Sequence, residues 1–260
     1  FSFFHKKNAN NALRTSSPKR NCALAIMNYL IEIMLFKRYI PYTLLSLFFL
    51  SCTTQKETAK QTTENTKVWG IDISHYQEVF DWDRLKEHEP GFIFVKATEG
   101  TTIQDSKYAE YYKAIRKLDI PVGSYHFFTY KTSGKDQAKN FLSTAKLQRG
   151  DLPLVLDAEF AKTMPDKKTI NKEISDFITA VYTKTKQYPI IYCAYKYYLL
   201  YLKDTLPAKC KLWIVDYRGK PDCDWTFWQI TERYKIAGIK GYVDYNLFRG
   251  SKKDLENMRL

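Results

Sequence analysis

From Val68 onward, the sequence alternates short apolar runs with segments whose apolar residues recur at helical spacing. Runs such as Leu154-Val155-Leu156, bounded by polar residues, are typical of buried strands. The predicted strands are Val68–Ile73, Phe92–Ala97, Pro121–Phe128, Leu152–Glu159 and Pro189–Ala194. The predicted helices between them are Asp81–Glu87, Ser106–Leu118, Lys135–Lys146 and Lys168–Lys186. This alternation favours an α/β fold with a parallel sheet covered by helices.

The C-terminal part follows a different pattern, because three strands succeed one another with little helix between them. These predicted strands are Lys211–Tyr217, Trp225–Ile230 and Tyr242–Phe248, before a last helix near Lys252–Met258. Five strand–helix units closed by three further strands predict an irregular TIM-like barrel. Active sites of such barrels lie at the C-terminal ends of the strands.

Four carboxylates fall at the ends of predicted strands or on the last one. Asp72 ends the first strand, Asp157 and Glu159 end the fourth, and Asp244 lies on the last. Residues two apart in a strand point to the same side, with Cα atoms about 6.6 Å apart. Asp157 and Glu159 are therefore expected to face one rim, while Ala158 faces the covering helices. An isolated pair of this kind often caps a loop or pairs with Lys or Arg, but acids from three strands indicate a shared site.

Carboxylates held side by side cannot all ionise easily, so the pKa of one is raised and a proton is retained near neutral pH. Cleavage of a glycosidic bond needs one such group to protonate the leaving oxygen. A second group must stabilise positive charge at the anomeric carbon. The four acids match this requirement.

Seven ordered motifs give the chain a resemblance to the glycoside hydrolase family 25 lysozymes. The motifs are Gly70–Gln77 with Asp81-Trp82 following, Phe94–Gly100, Gly123–Phe127, Pro153–Glu159, Leu212–Tyr217, Phe227–Gln229 and Val243–Asn246. The resemblance covers residues 68–260. Ala158 departs from the branched aliphatic residue usual there, and its expected outward orientation leaves the catalytic roles untouched.

The resemblance implies hydrolysis of the β-1,4 bond between N-acetylmuramic acid and N-acetylglucosamine in peptidoglycan. It implies that Glu159 is the general acid and that Asp157 stabilises the anomeric centre. Asp72 and Asp244 would be flanking catalytic acids. The expected barrel has five strand–helix units closed by three further strands.

Lys96 shares a predicted strand face with Phe94 and Thr98, and beside four acids it is expected to balance charge or bind substrate. Rings near the rim are expected to stack on sugars and to hydrogen-bond through their polar atoms, although each could be ordinary core. These substrate-binding candidates are Tyr125, Tyr192, Trp213 and Tyr217. His75 and His126 have no third ligand at suitable spacing, so we interpret them as structural or rim residues. The sequence contains no P-loop, dinucleotide or zinc motif, and neither a cofactor nor a metal is expected.

The segment before the barrel has the pattern of a secretory signal. Lys37-Arg38 precede the apolar run Tyr39–Leu50, which is too short for the roughly 20 residues that span a bilayer. Leu50-Ser51-Cys52 resembles a bacterial lipoprotein box, in which Cys52 would be lipidated. A plain signal peptide, or a transmembrane anchor over Ala23–Phe36, is the alternative.

We therefore expect a leader over residues 1–51, a flexible tether over 52–67 and the catalytic barrel over 68–260. Translation is expected to begin at Met34. The tether is rich in Thr, Gln, Lys and Glu without apolar periodicity. The predicted location is the bacterial cell envelope, where the exported protein would be a membrane-anchored lipoprotein.

The formal charge of +13 divides between +7 in residues 1–67 and +6 in residues 68–260. Without clustered Lys or Arg among rings in the barrel, no nucleic-acid partner is expected. The expected partners are peptidoglycan glycan strands and, through Cys52, the membrane. We expect a monomer.

Cysteines are sparse in the predicted barrel. In an exported protein, Cys210 and Cys223 precede successive strands and are expected to form a bridge that leaves Cys193 free. Three cysteines nevertheless allow three single bridges.

Two other functions are alternatives to the lysozyme interpretation. A non-catalytic peptidoglycan-binding lipoprotein on the same barrel would not need a proton donor, so retention of four acids argues against it. A chitinase-like hydrolase is disfavoured because no longer acidic run precedes the Asp157 and Glu159 pair.

Overall fold

The computed structural model describes residues 67–260. The predicted leader over residues 1–51, Cys52 and the tether over 52–67 lie outside the described residues, apart from Lys67. Within this part of the chain, no helix is long and apolar enough to span a bilayer.

Eight strands close a barrel, as predicted. The strands of the described chain are β1 (Trp69–Ile73), β2 (Glu78–Val79), β3 (Phe92–Glu99), β4 (Ile103–Gln104), β5 (Val122–Phe127), β6 (Val155–Asp157), β7 (Ile190–Ala194), β8 (Leu212–Val215), β9 (Trp225–Tyr234), β10 (Ile239–Lys240) and β11 (Val243–Phe248). The barrel order is β1, β3, β5, β6, β7, β8, β9 and β11, and β11 returns to pair with β1. Neighbours are parallel from β1 to β9, whereas β11 is antiparallel to both β9 and β1. The predicted irregular TIM-like barrel is confirmed.

Helices cover the outside of the barrel. They are α1 (Trp82–Glu87), α2 (Tyr108–Lys117), α3 (Gly134–Thr144), α4 (Lys167–Thr185), α5 (Tyr195–Tyr197), a π-helical turn (Tyr198–Leu202) and α6 (Lys252–Glu256). Asp81, Ser133, Asp166 and Ser251 cap the starts of four of them by accepting a backbone N–H. The helix of the fifth unit is only α5 and the π-helical turn, much shorter than the helices before it.

Alternation along the strands divides the apolar residues into two layers. One set faces the helices and includes Leu154, Leu156 and Ala158. The other fills the barrel interior and consists mainly of Phe92, Phe94, Val155, Ile190, Trp213, Phe227 and Phe248. A Cβ atom at Gly123 would collide with the ring of Phe94, so this glycine makes room for the largest interior side chains.

Three predicted strand features need correction. Strand β6 is confined to Val155–Asp157, and Pro153, which lacks an N–H, lies just before it. Strand β9 runs beyond Ile230 to Tyr234. The predicted common face of Lys96 and Thr98 is wrong, because the pairing register between β3 and β5 shifts between these residues.

The hydroxyl of Thr98 instead lies 2.7 Å from Nδ1 of His126, on the helix-facing side. The ring of His126 packs against Phe141 of α3 and Phe177 of α4. Burial lowers the pKa of His126 to about 4. This histidine is a neutral structural residue, in keeping with one of the two interpretations above.

The expected bridge between Cys210 and Cys223 is also wrong, since both residues and Cys193 are free thiols. Cys223 lies close enough to Cys193 for its charge to add to burial in raising the pKa of the Cys193 thiol. Burial alone raises the pKa of Cys210, to about 12.

Candidate active site

A pocket of about 190 Å³ opens at the C-terminal ends of the parallel strands. Its lining residues are Asp72, Ser74, Tyr76, Gln77, Lys96, Tyr125, Phe127, Asp157, Glu159, Tyr192, Trp213 and Asp244. The structure thus brings together all four predicted acids and every predicted substrate-binding residue except Tyr217.

Asp72 and Asp244 form a carboxyl pair where the first and last barrel strands meet. They are direct partners in the register of β1 and β11, and their carboxyl groups are close enough for each to change the pKa of the other. Burial, followed by repulsion from Asp244, raises the pKa of Asp72 well above its ordinary value. Burial raises the pKa of Asp244 to about 6. Two acids this close, one buried and one half-buried, disfavour each other's ionised form and titrate as a coupled pair.

Asn246 links this pair to the aromatic interior. Its Nδ2 donates to Oδ2 of Asp72 over 2.8 Å, and its Oδ1 accepts from Nε1 of Trp213 over 2.8 Å. All three residues are buried. The indole N–H of Trp213 therefore fixes the orientation of the Asn246 amide, and this amide in turn holds Oδ2 of Asp72 in place.

Asp157 is buried in the pocket wall at the end of β6. Burial, then repulsion from Glu159 and Asp72, raises its pKa well above the ordinary value, while attraction to Lys96 opposes the shift. Its Oδ1 has no hydrogen-bond partner among residues 67–260. An unpartnered buried acceptor is costly, so this oxygen is suited to accept a hydrogen bond from a bound ligand.

Glu159 lies at the mouth of the same pocket, two residues beyond Asp157. The residue as a whole is solvent-exposed, but the pocket wall partly desolvates its carboxyl group. This desolvation is the largest cause that raises its pKa, followed by repulsion from Asp244. Lys96 opposes the rise. The arrangement combines a pKa raised in the direction that favours the protonated form with access from solvent.

Lys96 is buried beside these acids, with 6% of its surface exposed. Its Nζ lies 2.7 Å from Oε2 of Glu99 and 4.8 Å from the centroid of the Phe127 ring. Its positive charge lowers the pKa values of Asp157 and Glu159 against the effect of burial. Lys96 thus limits how far the acids are neutralised.

Three predicted rings form the floor and wall of the pocket. Tyr192 meets the edge of Trp213 at a centroid distance of 4.8 Å. Burial, with added repulsion from Asp72 and Asp157, raises the pKa values of Tyr125 and Tyr192 well above the ordinary value. Both hydroxyls therefore stay protonated and can donate hydrogen bonds.

Tyr217 lies outside the residues that line the pocket and is 50% exposed. Its hydroxyl accepts a hydrogen bond from Nε2 of Gln229 over 3.0 Å and donates to Oε2 of Glu232 over 3.3 Å. Burial, followed by repulsion from Glu232 and Asp244, raises its pKa, and its two hydrogen-bond partners belong to β9.

Four residues that were not among the predicted site residues also line the pocket: Ser74, Tyr76, Gln77 and Phe127. Three of them follow Asp72 within the motif Gly70–Gln77, and this proximity was the available signal. Tyr76 is 79% exposed, and its ring centroid lies 4.0 Å from that of His75. Nδ1 of His75 lies 2.6 Å from Oδ2 of the buried Asp105, which fastens the loop.

Among residues 67–260, no group of three or more His, Cys, Asp or Glu side chains is arranged to hold a metal ion. The chemistry that the pocket offers is that of several neighbouring carboxyl groups, a lysine and neutral tyrosines.

Comparison with known proteins places this site in a family. The sequence profile of "Glycosyl hydrolases family 25" matches residues 71–239. The uncharacterized protein YegX of Escherichia coli O6:H1 (strain CFT073) is 34% identical over 198 residues, covering 73% of this chain and 72% of YegX. Lysozyme M1 of Streptomyces globisporus is 29% identical over 207 residues, covering 72% of this chain and 70% of that enzyme.

The fold agrees with a solved structure of the same family. A family 25 glycosyl hydrolase from Bacillus anthracis superposes with a TM-score of 0.70 at 32% identity, covering 75% of this chain and 94% of that protein. Profile, relatives and fold agree, and the chain belongs to family 25 of the glycosyl hydrolases.

Proposed function

We propose that the protein is an N-acetylmuramidase, a lysozyme that hydrolyses the β-1,4 bond between N-acetylmuramic acid and N-acetylglucosamine in peptidoglycan. The observation that carries the proposal is the meeting of Asp72, Asp157, Glu159 and Asp244 in one pocket at the strand ends. The likeness to Lysozyme M1 supports the same substrate.

Glu159 is the general acid in this mechanism. Its raised pKa keeps a proton available, and its position at the pocket mouth lets the carboxyl reach the glycosidic oxygen of a bound glycan. Protonation of that oxygen allows the bond to the anomeric carbon to break.

Asp157 acts at the anomeric centre. As the bond breaks, positive charge develops on the sugar, and the ionised form of Asp157 stabilises this charge or orients the acetamido group that does so. Lys96 favours that ionised form against the effect of burial. The unpartnered Oδ1 of Asp157 is free to make such a contact. Asp72 and Asp244, which titrate as a coupled pair, flank this centre and set its charge.

The other polar and aromatic residues bind the glycan. Lys96 balances the acids, while the neutral hydroxyls of Tyr125 and Tyr192 donate to acetamido and hydroxyl oxygens. The ring of Trp213 supports the floor beneath them, and Tyr217 contacts the sugar chain where it leaves the pocket.

The experiment is to digest purified peptidoglycan with the protein, reduce the products with borohydride and identify the reduced sugar by mass spectrometry. N-acetylmuramic acid at the new reducing ends is the expected result. N-acetylglucosamine at those ends, or no digestion, contradicts the muramidase assignment.

Export to the cell envelope follows from this substrate, and we propose that Cys52 carries a lipid anchor joined to a monomeric barrel by residues 53–67. The lipoprotein-like Leu50-Ser51-Cys52 supports the anchor. A Cys52→Ser variant is expected to leave the membrane fraction while retaining peptidoglycan hydrolysis. If the variant still sediments with membranes after a high-salt wash, lipidation at Cys52 is wrong.

A further inference from the structure

A second groove, of about 720 Å³, opens beside the catalytic pocket. Its lining residues are Phe127, Phe128, Thr129, Tyr130, Lys131, Glu159, Phe160, Ala161, Lys162, Thr163, Met164 and Pro165. Phe127 and Glu159 line both cavities, so the groove continues directly from the proposed general acid. We call it the side groove.

Contacts within the protein hold its walls in place. The ring of Phe160 is 43% exposed and packs edge-on against Tyr197 at a centroid distance of 5.2 Å. The hydroxyl of Tyr130 donates to the backbone oxygen of Glu159 over 2.9 Å and lies 2.6 Å from the hydroxyl of Tyr197. The segment after β6 is thereby fastened to the segment after β5, and the side groove is present before any ligand arrives.

The side groove is mainly apolar but carries two cations. Lys131 and Lys162 are both exposed, and neither forms a salt bridge with any carboxylate of residues 67–260. Glu159, at the junction with the pocket, is the only acidic residue among those that line it. Its chemistry suits a ligand with small apolar groups and carboxylates.

We propose that the side groove binds the short peptide attached to muramic acid in peptidoglycan; the proposal rests on the muramidase function above. That peptide carries alanine methyl groups and free carboxylates, which match the apolar walls and the two lysines. The muramic acid that supplies the anomeric carbon also bears the peptide, on C3 of the same ring, so the peptide leaves the glycan within one sugar ring of the bond on which Glu159 acts. The side groove begins at Glu159 and therefore lies within reach of the peptide.

The sugar chain itself is a poorer occupant. A peptide-bearing glycan strand has its carboxylates on the peptide, so two unpaired ammonium groups gain little from the sugars alone. Charge complementarity therefore favours the peptide, and the side groove makes the enzyme more active on peptide-bearing strands than on bare glycan.

The test compares two substrates that differ only in the peptide. Intact peptidoglycan is one, and the same material stripped by an amidase that cuts between muramic acid and alanine is the other. The Lys131→Ala/Lys162→Ala variant is expected to lose about fivefold in kcat/KM on intact peptidoglycan, which corresponds to about 1 kcal/mol for two exposed ion pairs together. Its kcat/KM on stripped glycan is expected to equal that of the wild type.

A matched control removes the same charge elsewhere. Lys113 and Lys117 are exposed on α2, where they line a different surface depression. Lys113→Ala/Lys117→Ala should leave both substrates unaffected, which separates a local effect from a change in net charge.

Equal losses on both substrates by the Lys131→Ala/Lys162→Ala variant, or no loss on either, would overturn the peptide assignment. An unmodified enzyme that releases no N-acetylmuramic acid ends from either substrate would instead overturn the muramidase function. The two failures are therefore distinguishable, because the first leaves the muramidase activity of the wild-type protein intact and the second abolishes it.

Discussion

The two ends of the barrel interior are built from the same strands, but one is apolar and the other is polar. At the base, Phe92, Phe94 and Val155 pack with other apolar side chains and exclude water. Two residues after Phe94 and Val155, on the same strand faces, Lys96 and Asp157 line a polar pocket. Every second residue of a strand points into the barrel. The same inward strand face is therefore apolar at the base and charged at the top.

This contrast shows how buried acids are tolerated. Placing several carboxyl groups in a desolvated pocket costs stability, as the raised pKa values of Asp72, Asp157 and Asp244 indicate. The aromatic base offsets this cost. Trp213 belongs to both ends, because its ring packs on Phe94 at 4.6 Å and its N–H holds Asn246 beneath the acids.

The largest expected effect separates catalysis at the top from stability at the base. Glu159→Gln keeps the shape of the side chain but removes the transferable proton, so turnover is expected to fall by about 10²- to 10⁴-fold. The free energy of unfolding should be almost unchanged, because the residue is exposed. Release of reducing ends from peptidoglycan and urea unfolding measure the two quantities.

Glu87→Gln, an exposed substitution at the end of α1, is the matched control and should leave turnover unaltered. Near-normal turnover by Glu159→Gln would remove Glu159 as the acid and direct the search to Asp72 or Asp244.

A substitution at the base should have its main effect on the free energy of unfolding. Phe94 is fully buried among Phe227, Trp213 and Phe92. Phe94→Ala is therefore expected to lower the free energy of unfolding by about 3–5 kcal/mol. Denaturant titration measures the loss, and a change below about 1 kcal/mol would show that the base is not the stabilising region.

The pH dependence of the free energy of unfolding tests how much stability the carboxyl groups at the top of the barrel cost. The pKa of Asp244 rises from its ordinary 3.8 to about 6 in the folded protein, so between these values the folded state binds more protons than the unfolded chain. Stability from this group therefore falls as pH increases from about 4 through about 6. Asp244→Asn should remove up to about 3 kcal/mol of this dependence, as unfolding at pH values on either side of that window can show. An unchanged slope would mean that Asp244 does not titrate there.

The smallest expected effect lies at the link between the two ends. Trp213→Phe retains a ring in the base but leaves Oδ1 of Asn246 buried without its donor, at a cost of about 1–3 kcal/mol. The pH–rate profile should also shift, because Asn246 then holds Asp72 less firmly. Trp228→Phe, which removes an indole donor to the backbone oxygen of Asp216, is the control without this link. A pH–rate profile unaltered by Trp213→Phe would show that the hydrogen bond from Trp213 to Asn246 does not influence the titration of the acids.

The sequence was informative where local periodicity decides the outcome. The spacing of Asp157 and Glu159 predicted a common side, and both line one pocket. Burial of Leu156 and Ala158 against the helices follows from the same alternation.

Long-range contacts and irregular backbone could not be predicted in this way. The hydrogen bond from Asn246 to Asp72 joins residues 174 positions apart, and no local pattern specifies it. The register shift before Thr98 breaks the alternation that placed Thr98 beside Lys96. Tyr76 reaches the pocket from a loop, where neither helical nor strand periodicity applies.

The pairing of β1 with β11 also determines when, during synthesis and folding, the site is completed. Asp72 is among the first residues of the barrel to be synthesised and Asp244 among the last, yet they are direct partners across β1 and β11. Contacts so distant along the chain are slow to form during folding. A nascent or partly translocated chain consequently lacks one of its four acids, and the hydrolase becomes complete only when its final strand docks.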